Sequence, residues 1–319
     1  MNGSSKLLVQ EVALRDGLQM EQVFVPTEEK IRLADALSGA GFSRIEVSSF
    51  VSPKAIPALR DAADVFAGIT RRPGTIYVAL VPNQKGAERA LAAGADEINL
   101  VMSASETHNR ANMGMTREAS LAGFAAIVQA VRGSNVSVNA SIATAFGCPF
   151  EGEQPIEKIE AIIDRYLRLG VTGITLADTT GMANPRQVAK TVRRALERMP
   201  AGALTLHFHD TRGLGLANVL AAWQAGAYRF DAALGGLGGC PFAPGASGNI
   251  CTEDLVSMAH EMQLETGLDL AALIDLSRRL PSLIGHAVPG QVAKAGPPSR
   301  LHPKPGFAAR SDGPRGIAD

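Results

Sequence analysis

The chain has 319 residues, of which 46% are hydrophobic and 19% charged, and 31 Lys+Arg against 31 Asp+Glu leave a formal net charge of +0. That balance excludes the broad positive field that draws a protein to nucleic acid or to a membrane surface. Three cysteines are too few for a disulfide framework, residues 1–6 lack the apolar core of a signal peptide, and no apolar run approaches the ~18 residues that cross a bilayer. The setting implied is the cytoplasm, with neither nucleic acid nor membrane as a partner.

Short apolar, β-rich runs alternate with helical patterns along the chain. Strands are predicted at 7–13, 44–47, 75–81, 97–101, 136–143, 173–176, 204–208 and 229–234. Their near-continuous hydrophobicity is that of strands covered on both faces. Helices are predicted between them at 27–40, 85–93, 117–132, 156–169, 185–199 and 214–225. Gly41, Gly94, Gly170 and Gly226 each follow a helical run, and Pro185 stands at a helix start. Eight such strands separated by helices predict an α/β fold, a closed (β/α)8 TIM barrel. An open doubly wound sheet is disfavoured, because no Gly-x-Gly-x-x-Gly turn follows the first strand. Two extra C-terminal helices are predicted at 253–265 and 268–279, so residues 1–295 read as one domain. Residues 296–319, with Pro, Gly, Ser and Arg and no periodicity, read as a flexible tail.

In a barrel the chemistry sits at the C-terminal ends of the strands. The strongest constellation there is His207-Phe208-His209-Asp210, closing the seventh strand. Residues two apart in a strand share a face, so His207 and His209 form a ready nitrogen pair for a divalent metal. The plainer alternative is two histidines making core hydrogen bonds. Oxygen donors would come from Asp16, in Arg15-Asp16-Gly17, and from Asn249, in Ser247-Gly248-Asn249; each is equally a turn residue taken alone. Two imidazoles, one carboxylate and one amide oxygen suit Mg²⁺ or Mn²⁺.

The run Gly235-Gly236-Leu237-Gly238-Gly239-Cys240-Pro241 reads as a loop that closes over a ligand, or else as a flexible connector. Glu46 and Asp178 end strands on the active face, where each either orients a ligand or caps the next helix. His108 follows the fourth strand and is positioned to touch substrate. His260, His286 and His302 fall outside the active face, and Cys148 and Cys251 lack a neighbour that would activate a thiol.

These segments resemble the 3-hydroxy-3-methylglutaryl-CoA lyase family, within the larger group of metal-dependent barrels of Claisen-type chemistry. The matching pieces are Glu11-Val12 with Arg15-Asp16-Gly17-Leu18-Gln19, Ser49-Phe50-Val51-Ser52-Pro53-Lys54, Gly147-Cys148-Pro149, His207-Phe208-His209-Asp210-Thr211, the glycine–cysteine run and Ala243-Pro244-Gly245-Ala246-Ser247-Gly248-Asn249. The resemblance implies that Asp16, His207, His209 and Asn249 hold the metal, that Arg15 stabilises an enolate, that Cys240 rides on a closing loop and that Glu46 supports the site. It implies retro-Claisen cleavage of 3-hydroxy-3-methylglutaryl-CoA, or a close acyl-CoA analogue, to acetoacetate and acetyl-CoA, as in leucine degradation and ketone-body formation, by a homo-oligomer with a dimer as the simplest form.

Three places depart from the pattern. Ala13-Leu14 stand where Gly-Pro is usual, Gln22 where lysine is common, and Asn139 where the fifth strand often offers arginine. The missing cations leave room for a bulkier or citramalyl-like acyl group. A Claisen synthase joining a 2-oxo acid to acetyl-CoA is the first rival, disfavoured by how little sequence follows the barrel. A catalytically inactive binding protein is the second, and it has no need of Asp16, His207, His209, Asn249 and Cys240 together.

Overall fold

Apolar runs with little alternation form the strands Leu8–Glu11 (β1), Arg44–Ser49 (β2), Ile76–Leu80 (β3), Glu97–Ser103 (β4), Ser137–Ala143 (β5), Gly173–Asp178 (β6), Leu204–Phe208 (β7) and Arg229–Ala232 (β8). In the computed structural model, which describes residues 5–239 and 248–303, they pair in parallel and in sequence order, and β8 closes on β1. The predicted (β/α)8 TIM barrel is therefore the fold. Around it run Thr27–Gly39 (α1), Ala62–Gly68 (α2), Gln84–Ala92 (α3), Glu106–Met113 (α4), Arg117–Val131 (α5), Ile156–Leu169 (α6), Pro185–Leu196 (α7) and Gly215–Gln224 (α8). Thr252–Glu261 (α9), Leu270–Ile284 (α10) and the short Val292–Ala295 (α11) follow the last strand.

The helices form where the sequence carries a 3.6-residue apolar period and a stop. In α6, Ile159, Ile162, Ile163 and Tyr166 are buried on one stripe, and Gly170 ends the helix at φ 90°, a conformation costly for any residue with a Cβ. Asn184 caps α7 by accepting from the Gln187 amide at 3.0 Å, with Pro185 in the first turn. Besides the short α11, two helices lie where none was predicted. The seven residues of α2 are too few to establish a period, and α4, Glu-Thr-His-Asn-Arg-Ala-Asn-Met, is polar nearly throughout.

The first strand is shorter than its apolar run suggests. It stops at Glu11, and the amides of Arg15, Asp16 and Gly17 all turn back to the carbonyl of Val12 at 3.1, 2.8 and 3.3 Å. This wide helical turn, Ala13–Gly17, swings Arg15 and Asp16 inward over the barrel mouth. Wide turns of this kind recur at functional sites.

Glu11 ties the turn to the other end of the chain. Its carboxylate accepts from the Ala13 amide at 2.8 Å, the Leu234 amide at 2.9 Å and the Thr252 hydroxyl at 2.7 Å, joining β1, the segment after β8 and the start of α9. Burial pushes its pKa up to about 7, although these three donors pull the other way. The unfolded chain releases this proton near 4.5 while the folded chain holds it. Folding therefore binds a proton between those values, and stability falls as pH rises through that window. The wild-type unfolding free energy from urea titrations should drop from pH 4.5 to pH 7 by up to about 1.4 kcal/mol per pH unit from this group. Glu11→Gln should flatten that part of the profile; an unchanged slope would assign it to other groups.

Candidate active site

Each strand delivers its last residues to one rim, and β7 and β8 deliver the central pair. His207 on β7 lies in register with Asp231 on β8, and His207 Nδ1 meets Asp231 Oδ2 at 3.1 Å. That contact turns the other ring nitrogen, Nε2, toward His209 Nε2, 3.1 Å away. Asp16 Oδ2 stands 3.9 Å from the first Nε2 and 3.8 Å from the second. The three ligand atoms lie within 4.8 Å of one another, all on buried residues.

Asn249 joins this group by a route that strand adjacency alone does not predict. It forms an antiparallel bridge to His209, just beyond the end of β7. Its Nδ2 donates to Asp16 Oδ2 at 2.8 Å and to the Leu237 carbonyl at 2.9 Å, while its Oδ1 is buried without a hydrogen-bond partner. The approach is close enough to need glycine nearby: at Gly238, φ +115°, an added Cβ would sit 2.5 Å from Asn249 Nδ2. Two imidazole nitrogens, a carboxylate and an orphaned amide oxygen fit a divalent cation, because an unpaired buried acceptor is costly unless something positive meets it. Asp16, His207, His209 and Asn249 are the residues that would hold it.

The protonation states follow from the packing. Burial raises the pKa of Asp16, but Arg15, with the two histidines and Asn249, outweighs it and holds the carboxyl at about 2. His209 is pushed down to about 3 by burial and by its histidine neighbour, so its lone pair is free. Burial also disfavours charge on His207, but the bond to Asp231 and the nearby Asp16 raise it overall.

Arg15 is clamped beside this centre. Its Nε donates to Glu46 Oε2 and its Nη1 to Asp16 Oδ1, each at 2.5 Å, and only 9% of the residue is exposed. Glu46 Oε1 in turn accepts from Asn99 Nδ2 at 2.9 Å, and Asn99 Oδ1 accepts from Asn139 Nδ2 at 3.0 Å and Ser141 Oγ at 2.9 Å. Asn139 Nδ2 also reaches Thr175 Oγ1 at 3.0 Å. Asn139 is thus committed to an uncharged network under the site, and Glu46 orients Arg15 rather than capping a helix.

The remaining predicted residues divide. His108 is buried, bonds Ser103 Oγ through Nδ1 at 2.8 Å and lines the cavity over the site. Asp178 instead closes its own turn, accepting from the Met182 and Ala183 amides at 2.8 and 3.1 Å. Cys148 Sγ donates to Ser105 Oγ at 3.1 Å, and burial pushes the Cys251 thiol upward, so neither is an activated nucleophile. Cys240 lies outside the described residues; Gly239, which precedes it, lines the cavity. His286, set aside on sequence grounds, is exposed and reaches Glu21 of the cavity wall at 2.7 Å. Asp231 and Asn99 were not singled out in the sequence. Both sit within strand candidates, and the signal for Asp231 is its register against His207, which only the closed barrel reveals.

The cavity over these residues encloses about 780 Å³. Residues 6–280 match the HMGL-like family. The chain belongs to that family.

Its relatives agree. The chain is 45% identical over 286 residues to hydroxymethylglutaryl-CoA lyase YngG of Bacillus subtilis, covering 90% of this chain and 96% of that one. It is 43% identical over 297 residues to the (R)-citramalyl-CoA lyase of Chloroflexus aurantiacus, covering 90% and 94%. Among solved structures, an HMG-CoA lyase from Acinetobacter baumannii in complex with coenzyme A and 3-methylmalate superposes with a TM-score of 0.93 at 60% identity, over 96% of this chain and all of that one. Like these HMGL-like relatives, the protein is an enzyme, a carbon–carbon lyase.

The contact of Asp231 with His207 should matter for metal retention, because a carboxylate behind a ligating imidazole fixes its tautomer and orientation. Titration of Mn²⁺ into Asp231→Asn should give an affinity about 10–100-fold below wild type. Equal affinities would show that Asp231 only fills space.

Proposed function

We propose that this HMGL-like protein is a divalent-metal-dependent retro-Claisen lyase that cleaves 3-hydroxy-3-methylglutaryl-CoA, or a close 3-hydroxyacyl-CoA analogue, to a ketone product and acetyl-CoA. The observation that carries the reading is the juxtaposition of a clamped arginine with a buried Asp-His-His-Asn donor set under one large cavity. When bound, Mg²⁺ or Mn²⁺ supplies Lewis-acid polarisation of the substrate's oxygens.

The reaction needs a proton taken from the 3-hydroxyl, a carbon–carbon bond broken, and a proton returned to carbon. Asp16 and His207 stand at the centre to accept the first proton, and Asp231 backs the second of them. As the oxygen–hydrogen electron pair becomes the new carbonyl, the C2–C3 bond pair moves onto the thioester as an enolate. Arg15 presents a permanent cation to that oxygen. Its geometry is set in advance by Glu46 and Asp16, so little reorganisation accompanies the charge. The enolate carbon then takes up a proton, for which His207, a water and Cys240 are the candidate donors.

A citramalyl-type skeleton is the second reading. Gln22 brings no charge to the cavity wall, and Asn139 is held by Asn99 and Thr175, so neither presents the cation that the family pattern led one to expect. The name of the Chloroflexus relative points the same way.

The decisive assay is acetyl-CoA release from (S)-3-hydroxy-3-methylglutaryl-CoA and from citramalyl-CoA, with Mn²⁺ and with EDTA. Release that EDTA abolishes and that His207→Ala loses is the expected result. Arg15→Gln should lower kcat about 10²–10³-fold, the usual effect of removing one stabilising donor from a developing oxyanion. Condensation of acetyl-CoA with a 2-oxo acid, without cleavage of either thioester, would overturn the lyase direction.

A further inference from the structure

Among the described residues, Arg15 and Arg60 are the two permanent cations that line the cavity. Arg15 is already bound by Glu46 and Asp16. Arg60 has no carboxylate partner among the described residues; its Nη1 donates to the Pro57 carbonyl at 3.0 Å. Its guanidinium lies over the Phe24 ring, with Cζ 3.4 Å from the ring centroid. Phe24 is held in turn by the buried Lys30, whose Nζ is 4.3 Å from the same centroid and is paired with Asp61 at 2.6 Å. Stacking of this kind fixes the plane of an arginine while leaving most of its N–H donors on the edge. The site is a held cation, open to the cavity, with no anion among the described residues to satisfy it.

The other charges of that wall do not compete for an anion. Glu21 is engaged by His286, and Gln22 is neutral. The position of Arg60 indicates which part of a ligand it meets. The donor set is buried on the floor, whereas Arg60 is exposed at the mouth, on the segment between β2 and α2. A substrate whose reacting end reaches the floor must trail its remainder outward past Arg60. Phe24, Ile56, Pro57 and Ala58 give that exit an apolar wall suited to an uncharged arm.

We propose that Arg60 is a binding residue for a phosphate group of the substrate's nucleotide carrier, recognised by the outer N–H edge of a guanidinium stacked on Phe24. The proposal rests on the acyl-CoA reading given above. A planar, permanently charged fork suits phosphate oxygens better than a lysine ammonium does, and the ring beneath it removes much of the freedom that binding would otherwise restrict.

The test is calorimetric titration of coenzyme A, dephospho-coenzyme A and pantetheine into wild type, Arg60→Ala and Arg60→Lys at fixed ionic strength. Loss of one charge-assisted contact should weaken coenzyme A binding to Arg60→Ala about tenfold or more, with Arg60→Lys between the two. Pantetheine, which lacks the nucleotide phosphates, should bind all three proteins alike. If dephospho-coenzyme A shows the same loss, the contact is to the pyrophosphate; if it is insensitive to the substitution, the contact is to the ribose phosphate. Equal coenzyme A affinity in wild type and Arg60→Ala would overturn the proposal while leaving the acyl-CoA reading intact. So would an equal loss for pantetheine, which would make Arg60 part of the apolar wall's packing. Failure of wild type to bind coenzyme A at all would overturn both.

Discussion

Arg15 carries a full charge into a nearly closed space, and such a charge is tolerated only when carboxylates meet it at hydrogen-bond distance. Glu46 and Asp16 do so from either side, each at 2.5 Å. The arrangement constrains much else. Glu46, third in β2, must face inward, the chain after β1 must turn within five residues, and Asn99 must hold the second oxygen of Glu46. Removing Arg15 would leave two buried carboxylates without their cation, at a cost of about 3–5 kcal/mol. The group proposed to meet the substrate's developing charge is therefore also the group on which the local fold is organised.

The same economy appears in Asp16. One of its oxygens takes Arg15 and Gln19, and the other faces both histidines and the Asn249 amide. The carboxyl is ionised far below neutrality because Arg15 and its other neighbours outweigh the burial that opposes it. An electrostatic chain thus runs from Thr175 through Asn139, Asn99, Glu46 and Arg15 to the donor set, all of it inside the barrel. Such a network is stable only when fully satisfied. Its uncharged far end is the physical reason that Asn139 can stand where the family resemblance led us to expect arginine.

Beside the Asp16 turn, the chain after β8 is anchored rather than loose. Glu11 accepts from the Leu234 amide, Glu253 accepts from the Gly235 amide at 3.0 Å and from Ser277, and Leu237 accepts from Asn249. Two buried carboxylates hold the root of the glycine run, one from the first strand and one from α9. The C-terminal helices therefore serve the site as well as the core: α9 supplies Glu253, α10 supplies Ser277, and His286 beyond α10 reaches the cavity wall.

Much of this was legible in the chain itself. The order of strands and helices and the barrel follow from periodicity and stop signals, and Asp16, His207, His209 and Asn249 stand out as candidates by their places at strand ends and in the motifs. A strand's twofold alternation places His207 and His209 on one side whatever the rest of the molecule does. What the tertiary structure decided is everything that depends on register between distant segments. Asp231 meets His207 only because β7 and β8 pair at that offset, and Asn249 meets Asp16 only through its bridge to His209. Arg60 finds Phe24 across 35 intervening residues, and His286 finds Glu21 across most of the chain. No local pattern encodes such pairs, because they are set by barrel closure and by where burial leaves a charge needing a partner. The sequence determined which groups the protein possesses and roughly where along each strand they fall; folding determined which of them share a hydrogen bond.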